Sequence, residues 1–149
     1  MSAPRLVKYP EALRALRRLV KERGTEYIYP SPLPNFPATC LYVTPAPNLA
    51  PSCGLGKVFA EQFNVPVDYL MAADQGKDIL GQVLRAGVEL TEKSEALLFA
   101  FQRLQDRKLT YGTALEQAIE ETASNPFPLI DDRPTVVNGR EEILKESRS

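Results

Sequence analysis

The chain has no histidine and no tryptophan, and two of its 149 residues are cysteine. Without imidazole, a Ser-His-Asp triad, a Cys-His dyad and every His-ligated metal centre are excluded. Cys40 and Cys53 alone cannot close a tetrahedral zinc site, and no C-x-x-C pair exists. Long apolar runs are missing too. The longest, Ala96 to Phe101, has six residues, against ~18 for a membrane span, so no membrane partner is expected. Residues 1–9 carry Arg5 and Lys8 with no apolar stretch behind them. That pattern reads as no export signal, a cytoplasmic location and two reduced thiols. A bridge between Cys40 and Cys53 would be worth ~3 kcal/mol on the chain-entropy model, and the sequence leaves that pairing open.

Enough apolar residues remain, 44% of the chain, for one core at this length. Residues 10–23 predict an amphipathic helix. Pro10 suits its first turn, Leu13, Leu16, Leu19 and Val20 recur at helical spacing, and Gly24 stops it. Seven of the 13 prolines then fall between Pro30 and Pro51, a density that forbids helix and interior strand. Glu26 to Tyr29 and Thr39 to Thr44 survive as β-type runs and are expected to pair as a small hairpin. From Ser52 onward helices dominate. One ends at Asn64-Val65-Pro66, one covers about Val67 to Ala73, and one about Gly76 to Arg85. Thr91 caps a helix over about Glu92 to Lys108, and a last helix runs to about Ala123 behind Thr110 or Thr113. Residues 125–149 read as an extended tail. The fold expected is mainly α with a small β-hairpin (α+β). It is a compact bundle of five to six short helices over 1–124, including a proline-rich loop at 30–51.

Charge is uneven. Residues 1–24 hold seven basic side chains against Glu11 and Glu22, and the remainder carries 11 basic and 17 acidic groups. Arg14, Arg17, Arg18 and Lys21 share the helix face opposite the leucines. Such a stripe suits an acidic protein or a phosphate backbone. It equally suits a solvated surface. No aromatic is interleaved with it, so base stacking is unsupported.

Pro51-Ser-Cys-Gly-Leu-Gly56-Lys57-Val58 looks like a phosphate loop but lacks glycine at Pro51 and a hydroxyl at Val58. Nucleotide hydrolysis by that route is rejected. A weaker reading keeps Cys53, Gly54, Gly56 and Lys57 as an anion or small-ligand site at a helix start, with a reactive Cys53 thiol as a variant. The competing reading is that the glycines permit close packing and Cys53 is a small buried residue. Asp131-Asp132, with Asp106 or Glu120-Glu121, offers carboxylates for a hard cation, but nothing fixes their spacing. A helix-turn-helix over 76–108 is disfavoured, because Glu92 and Glu95 would face phosphates.

Leu41-Tyr42-Val43, Pro51-Ser52-Cys53-Gly54-Leu55-Gly56, Gln102 to Asp106 and Thr110-Tyr111-Gly112-Thr113-Ala114-Leu115 form a pattern. It resembles that of small uncharacterised proteins of actinobacteria and their phages. The resemblance covers roughly residues 41–118 and implies no activity. It implies a phage accessory protein acting inside a bacterial host.

The function expected is therefore a non-enzymatic binding protein with a protein partner. Its contact surface would be the proline-rich segment, with Tyr27, Tyr29, Leu33, Phe36 and Tyr42, which proline would stiffen and aromatics would supply with area. The alternative for these side chains is that they lid the core. Two alternative functions stand beside it: ligand binding at Cys53–Lys57, and nucleic-acid binding through the first helix. No cofactor, metal or catalytic residue is expected, and a homo-oligomer is compatible with aromatics on the proline loop.

Overall fold

The structure is a computed structural model and describes residues 3–30 and 41–148. Among the described residues, seven helices surround one two-stranded parallel sheet. Strand β1 (Arg5–Val7) pairs with β2 (Val88–Leu90) in the register Arg5–Val88, Leu6–Glu89, Val7–Leu90. Helix α1 (Tyr9–Arg23) has Pro10 in its first turn and buries Ala12, Ala15, Leu16, Leu19 and Val20. It ends at Gly24, whose φ of 104° only glycine tolerates easily. The Gly24 N–H donates to the Val20 carbonyl at 2.7 Å.

Helix α2 (Gly54–Lys57) widens into a π turn over Val58–Gln62, closed by the Phe63 N–H donating to the Val58 carbonyl at 3.1 Å. Helix α3 (Val67–Asp74) and helix α4 (Ile79–Arg85) follow. Helix α5 (Glu92–Asp106) is the centre of the molecule, capped by Thr91 through its hydroxyl and packed against α1, α2 and α6. Helix α6 (Tyr111–Ala123) is capped by Thr110, not Thr113. Phe101 on α5 and Tyr111 on α6 meet edge-to-face with ring centres 5.1 Å apart.

The predominantly helical expectation holds, but the β-part differs from the hairpin expected. Glu26 to Tyr29 is not a strand. Leu41 to Thr44 folds back antiparallel on 50–53 instead. The Ser52 N–H donates to the Tyr42 carbonyl at 2.8 Å and the Cys53 N–H to the Leu41 carbonyl at 3.0 Å. Thr39 and Cys40 lie outside the described residues. The sheet that does form joins residues more than 80 positions apart, and three-residue strands leave no alternation to read.

The tail also differs from the extended one expected. Asp131 Oδ1 accepts from the Tyr9 N–H at 2.8 Å and from Thr91 Oγ1 at 2.6 Å. It thereby serves the start of α1, whose own N-cap Lys8 makes no side-chain cap bond. Thr135 N–H donates to the Leu90 carbonyl at 2.8 Å, so this segment runs along β2. Helix α7 (Arg140–Arg148) then packs on α4. It is held by buried Ile143, by an Arg85–Glu146 ion pair, and by the Arg140 guanidinium on both oxygens of Glu89 at 2.9 Å. Glu89 is buried on the middle of β2, and a buried carboxylate needs such a partner.

Candidate functional site

The start of α2 is the first place to look for a ligand, and its donors are already occupied. The Gly54 N–H donates to Gln105 Oε1 at 2.7 Å, the Leu55 N–H to Gln102 Oε1 at 3.3 Å, and the Gly56 N–H to Cys53 Sγ at 3.4 Å. These are the orphan amides that an anion would need. Cys53, Gly54 and Gly56 are buried, and Cys53 is a free thiol with no exposed surface. Its sulfur also accepts from Gln102 Nε2 at 3.1 Å. Lys57 is turned to Glu61, 3.4 Å away. The glycines are there for close approach. A Cβ on Gly56 would overlap the Tyr42 carbonyl, and one on Gly54 would come within 2.8 Å of the Phe101 ring. Of the four residues expected to form an anion or thiol site, Cys53, Gly54 and Gly56 serve packing and capping, and Lys57 pairs with Glu61.

Around them lies a buried polar network. Arg23 donates through Nη1 to Tyr111 Oη at 2.9 Å and through Nη2 to the Ser52 carbonyl at 2.6 Å. The Tyr111 hydroxyl donates to Gln105 Oε1 at 2.6 Å. Burial pushes the Tyr111 phenol well up from its ordinary value, against the smaller opposing pull of Arg23. A protonated Tyr111 suits this donor role. Sequence alone assigns Arg23 only its charge, and the capping by Gln102 and Gln105 joins residues 47 and 51 positions apart. Both glutamines stand beside the apolar stripe of α5 and within the Gln102 to Asp106 segment of the pattern, so a signal was present.

The aromatics of the proline-rich segment divide. Tyr29 is buried and its hydroxyl shares a 2.7 Å hydrogen bond with Ser52 Oγ. Tyr27 packs edge-on against Tyr111 at 4.8 Å and lies under the Arg23 guanidinium. Tyr42 is half-buried beside Phe59. The chain at 25–27 also caps α6, with the Tyr111 N–H donating to the Tyr27 carbonyl and the Gly112 N–H to the Thr25 carbonyl, each at 2.8 Å. All three tyrosines pack on the core, Tyr29 buried within it and Tyr27 and Tyr42 half-buried against it. Leu33 and Phe36 lie outside the described residues.

The outer face of α1 behaves in the opposite way. Arg14, Arg17, Arg18 and Lys21 are exposed, and none forms an ion pair among the described residues. Arg14 and Arg18 line a groove of about 230 Å³ with Glu11, Ala15, Gln62 and Phe63. Glu11 is paired with Arg5, whose guanidinium lies 5.6 Å from the Phe63 ring centre. Of the acidic candidates, Asp131 is engaged with Tyr9 and Thr91, Glu121 pairs with Arg103, and among the described residues no three ligands gather for a metal.

No family model, no curated protein and no solved structure matches the chain. No helix among the described residues is long and apolar enough to cross a membrane.

Proposed function

We propose that this chain is a non-enzymatic binding protein that engages an acidic surface of another protein through the outer face of α1. The observation that carries the reading is four exposed cations on one helical face, Arg14, Arg17, Arg18 and Lys21, with no ion pair among the described residues. They span ~10 Å along the helix axis at 1.5 Å per residue. Helical spacing sorts them into two rows. Arg14, Arg17 and Lys21 form one. Glu11, Arg14, Arg18 and Glu22 form the other, with a carboxylate at each end. A continuous phosphate backbone would meet both carboxylates and the acidic remainder of the chain. A short run of carboxylates on a protein can meet the stripe alone, between Glu11 and Glu22. The burial of Cys53 and the internal use of its helix-start amides support a contact role over ligand chemistry at that site. The resemblance to phage and actinobacterial proteins supplies the setting, a bacterial host protein as partner.

The test is retention on immobilised polyglutamate and on duplex DNA, using wild type and an Arg14→Glu, Arg17→Glu, Arg18→Glu, Lys21→Glu variant. Wild type is expected to be held by polyglutamate at low salt and released as salt rises, with the variant not retained. Tighter retention on DNA would replace this reading with the nucleic-acid one. Equal retention of the variant would remove the α1 face altogether.

A further inference from the structure

A second surface has different chemistry and is independent of α1. The chain at 41–50 folds over the C-terminal end of α3 and leaves a groove of about 380 Å³. Its walls are mainly apolar, from Leu41, Val43, Leu49 and Met71, and Asp74 stands among them. That size and that pattern, an apolar cleft with one convergent charged group, are typical of a small-molecule site, for which volumes run from ~300 Å³ upward.

Asp74 is placed where a cation is wanted. It is the last residue of α3, at the negative end of the helix dipole, where a carboxylate is unfavourable. Among the described residues no lysine or arginine pairs with it. Burial pushes its carboxyl up from the ordinary value, and two backbone amides pull it partly back. Those amides hold it in position. The Tyr42 N–H donates to Oδ1 at 2.9 Å and the Val43 N–H to Oδ2 at 3.1 Å. Each carboxylate oxygen thus keeps one acceptor site open, since a carboxylate accepts at about four. Leu49 adds a second irregularity. It is 39% exposed, and its φ of 46° lies in the left-handed region that a branched apolar side chain avoids. The loop keeps this leucine on the groove's rim, outside the core.

We propose that the groove between the 41–50 loop and α3 binds a small primary amine with an apolar body, its ammonium on Asp74 and its body against Leu49 and Met71. An ammonium has three donors and no acceptor, which matches the remaining acceptor sites of the carboxylate. Met71 is the adaptable side chain of the pair, suited to apolar bodies of differing shape.

The experiment is a backbone amide NMR titration of the full chain with phenethylamine, 2-phenylethanol and a lysine blocked at both ends. Shifts with phenethylamine are expected to be confined to Leu41–Ala50 and Met71–Gln75. The amine is expected to bind ~10-fold more tightly than the alcohol, the range of one charge-assisted hydrogen bond. Asp74→Asn should bring the amine down to the alcohol's level. Leu49→Gly relieves the left-handed backbone and leaves the carboxylate in place, so it stays folded and should weaken amine and alcohol alike. Equal binding of amine and alcohol, shifts centred elsewhere, or unchanged binding in Leu49→Gly would overturn the site. Tighter binding of the blocked lysine than of phenethylamine would overturn its assignment to a small molecule.

Discussion

The start of α2 and the outer face of α1 are both places where an isolated helix would attract an anion, and the fold treats them oppositely. At α2 the attracting groups are backbone amides, and Gln102, Gln105 and Cys53 supply an acceptor to each of the first three. At α1 the attracting groups are side chains that point away from the body, and nothing described reaches back to them. The difference is geometric. A helix start buried beside another helix must find acceptors inside the protein, because an unpaired buried amide costs ~1–3 kcal/mol. A charge on the outer face has water and needs no partner. An anion-attracting helix feature is therefore available to a ligand only where its own burial has not already demanded a partner.

The sharpest way to break that comparison is to disturb the buried side. Gly56→Ala sets a methyl group against the Tyr42 backbone carbonyl, which cannot rotate away. A loss of ~3 kcal/mol or more is expected in urea denaturation. Gln105→Leu keeps the volume but leaves the Gly54 N–H and the Tyr111 hydroxyl without their acceptor. It should lower stability by ~2–4 kcal/mol, read from the same denaturation curves. Asp131→Ala tests whether a cap lent from the tail works like one lent from α5. Removing the acceptor for the Tyr9 N–H and Thr91 Oγ1 should take ~1–2 kcal/mol, and hydrogen exchange should rise first at the start of α1. On the open side the effect on stability should nearly vanish. The fourfold Arg-and-Lys to Glu variant of α1 should melt within the small range of surface substitutions, ~0.5 kcal/mol per site, while its retention on polyglutamate is lost. A large loss of stability there would show that the stripe holds the fold together.

The smallest effect concerns Asp74, where burial and hydrogen bonding oppose each other. Burial dominates, so the folded carboxyl holds its proton above the ordinary 3.8. The native state then binds more protons than the unfolded chain between that value and the folded one. The stabilising contribution is complete below 3.8 and fades as pH rises through the folded value. Relative to Asp74→Asn, wild type should therefore lose stability on going from acid to neutral pH. Urea midpoints of the two proteins across that range check the sign, and a gap that moves the other way would mean that the Tyr42 and Val43 amides dominate.

Much of the helical layout was legible because it follows from local rules. Leu16, Leu19 and Val20 keep one period, Gly24 ends it, and Thr91 caps the next long helix, whereas local rules left the start of α6 open between Thr110 and Thr113. The cationic face of α1 was legible for the same reason, since burying one side of a 3.6-residue repeat exposes the other. Other features left no local trace. β1 and β2 are three residues each, and each is a strand only because the other lies beside it. Glu89 reads as a surface charge until Arg140, 51 positions later, covers it. Residues 125–149 read as an extended tail, because a helix with one buried apolar side chain, Ile143, is made by its dock on α4.

The amino-acid sequence by itself determined where α1 and α5 begin, which face of α1 carries the charge, and which imidazole chemistries are unavailable, since each depends on residue identity and short-range spacing. The tertiary structure alone decided which of those groups remain open to a partner. A donor, a thiol or a tyrosine is free or spent according to what long-range packing brings within 3 Å of it, and here that packing closed the helix start at Cys53 and left Arg14, Arg17, Arg18 and Lys21 facing water.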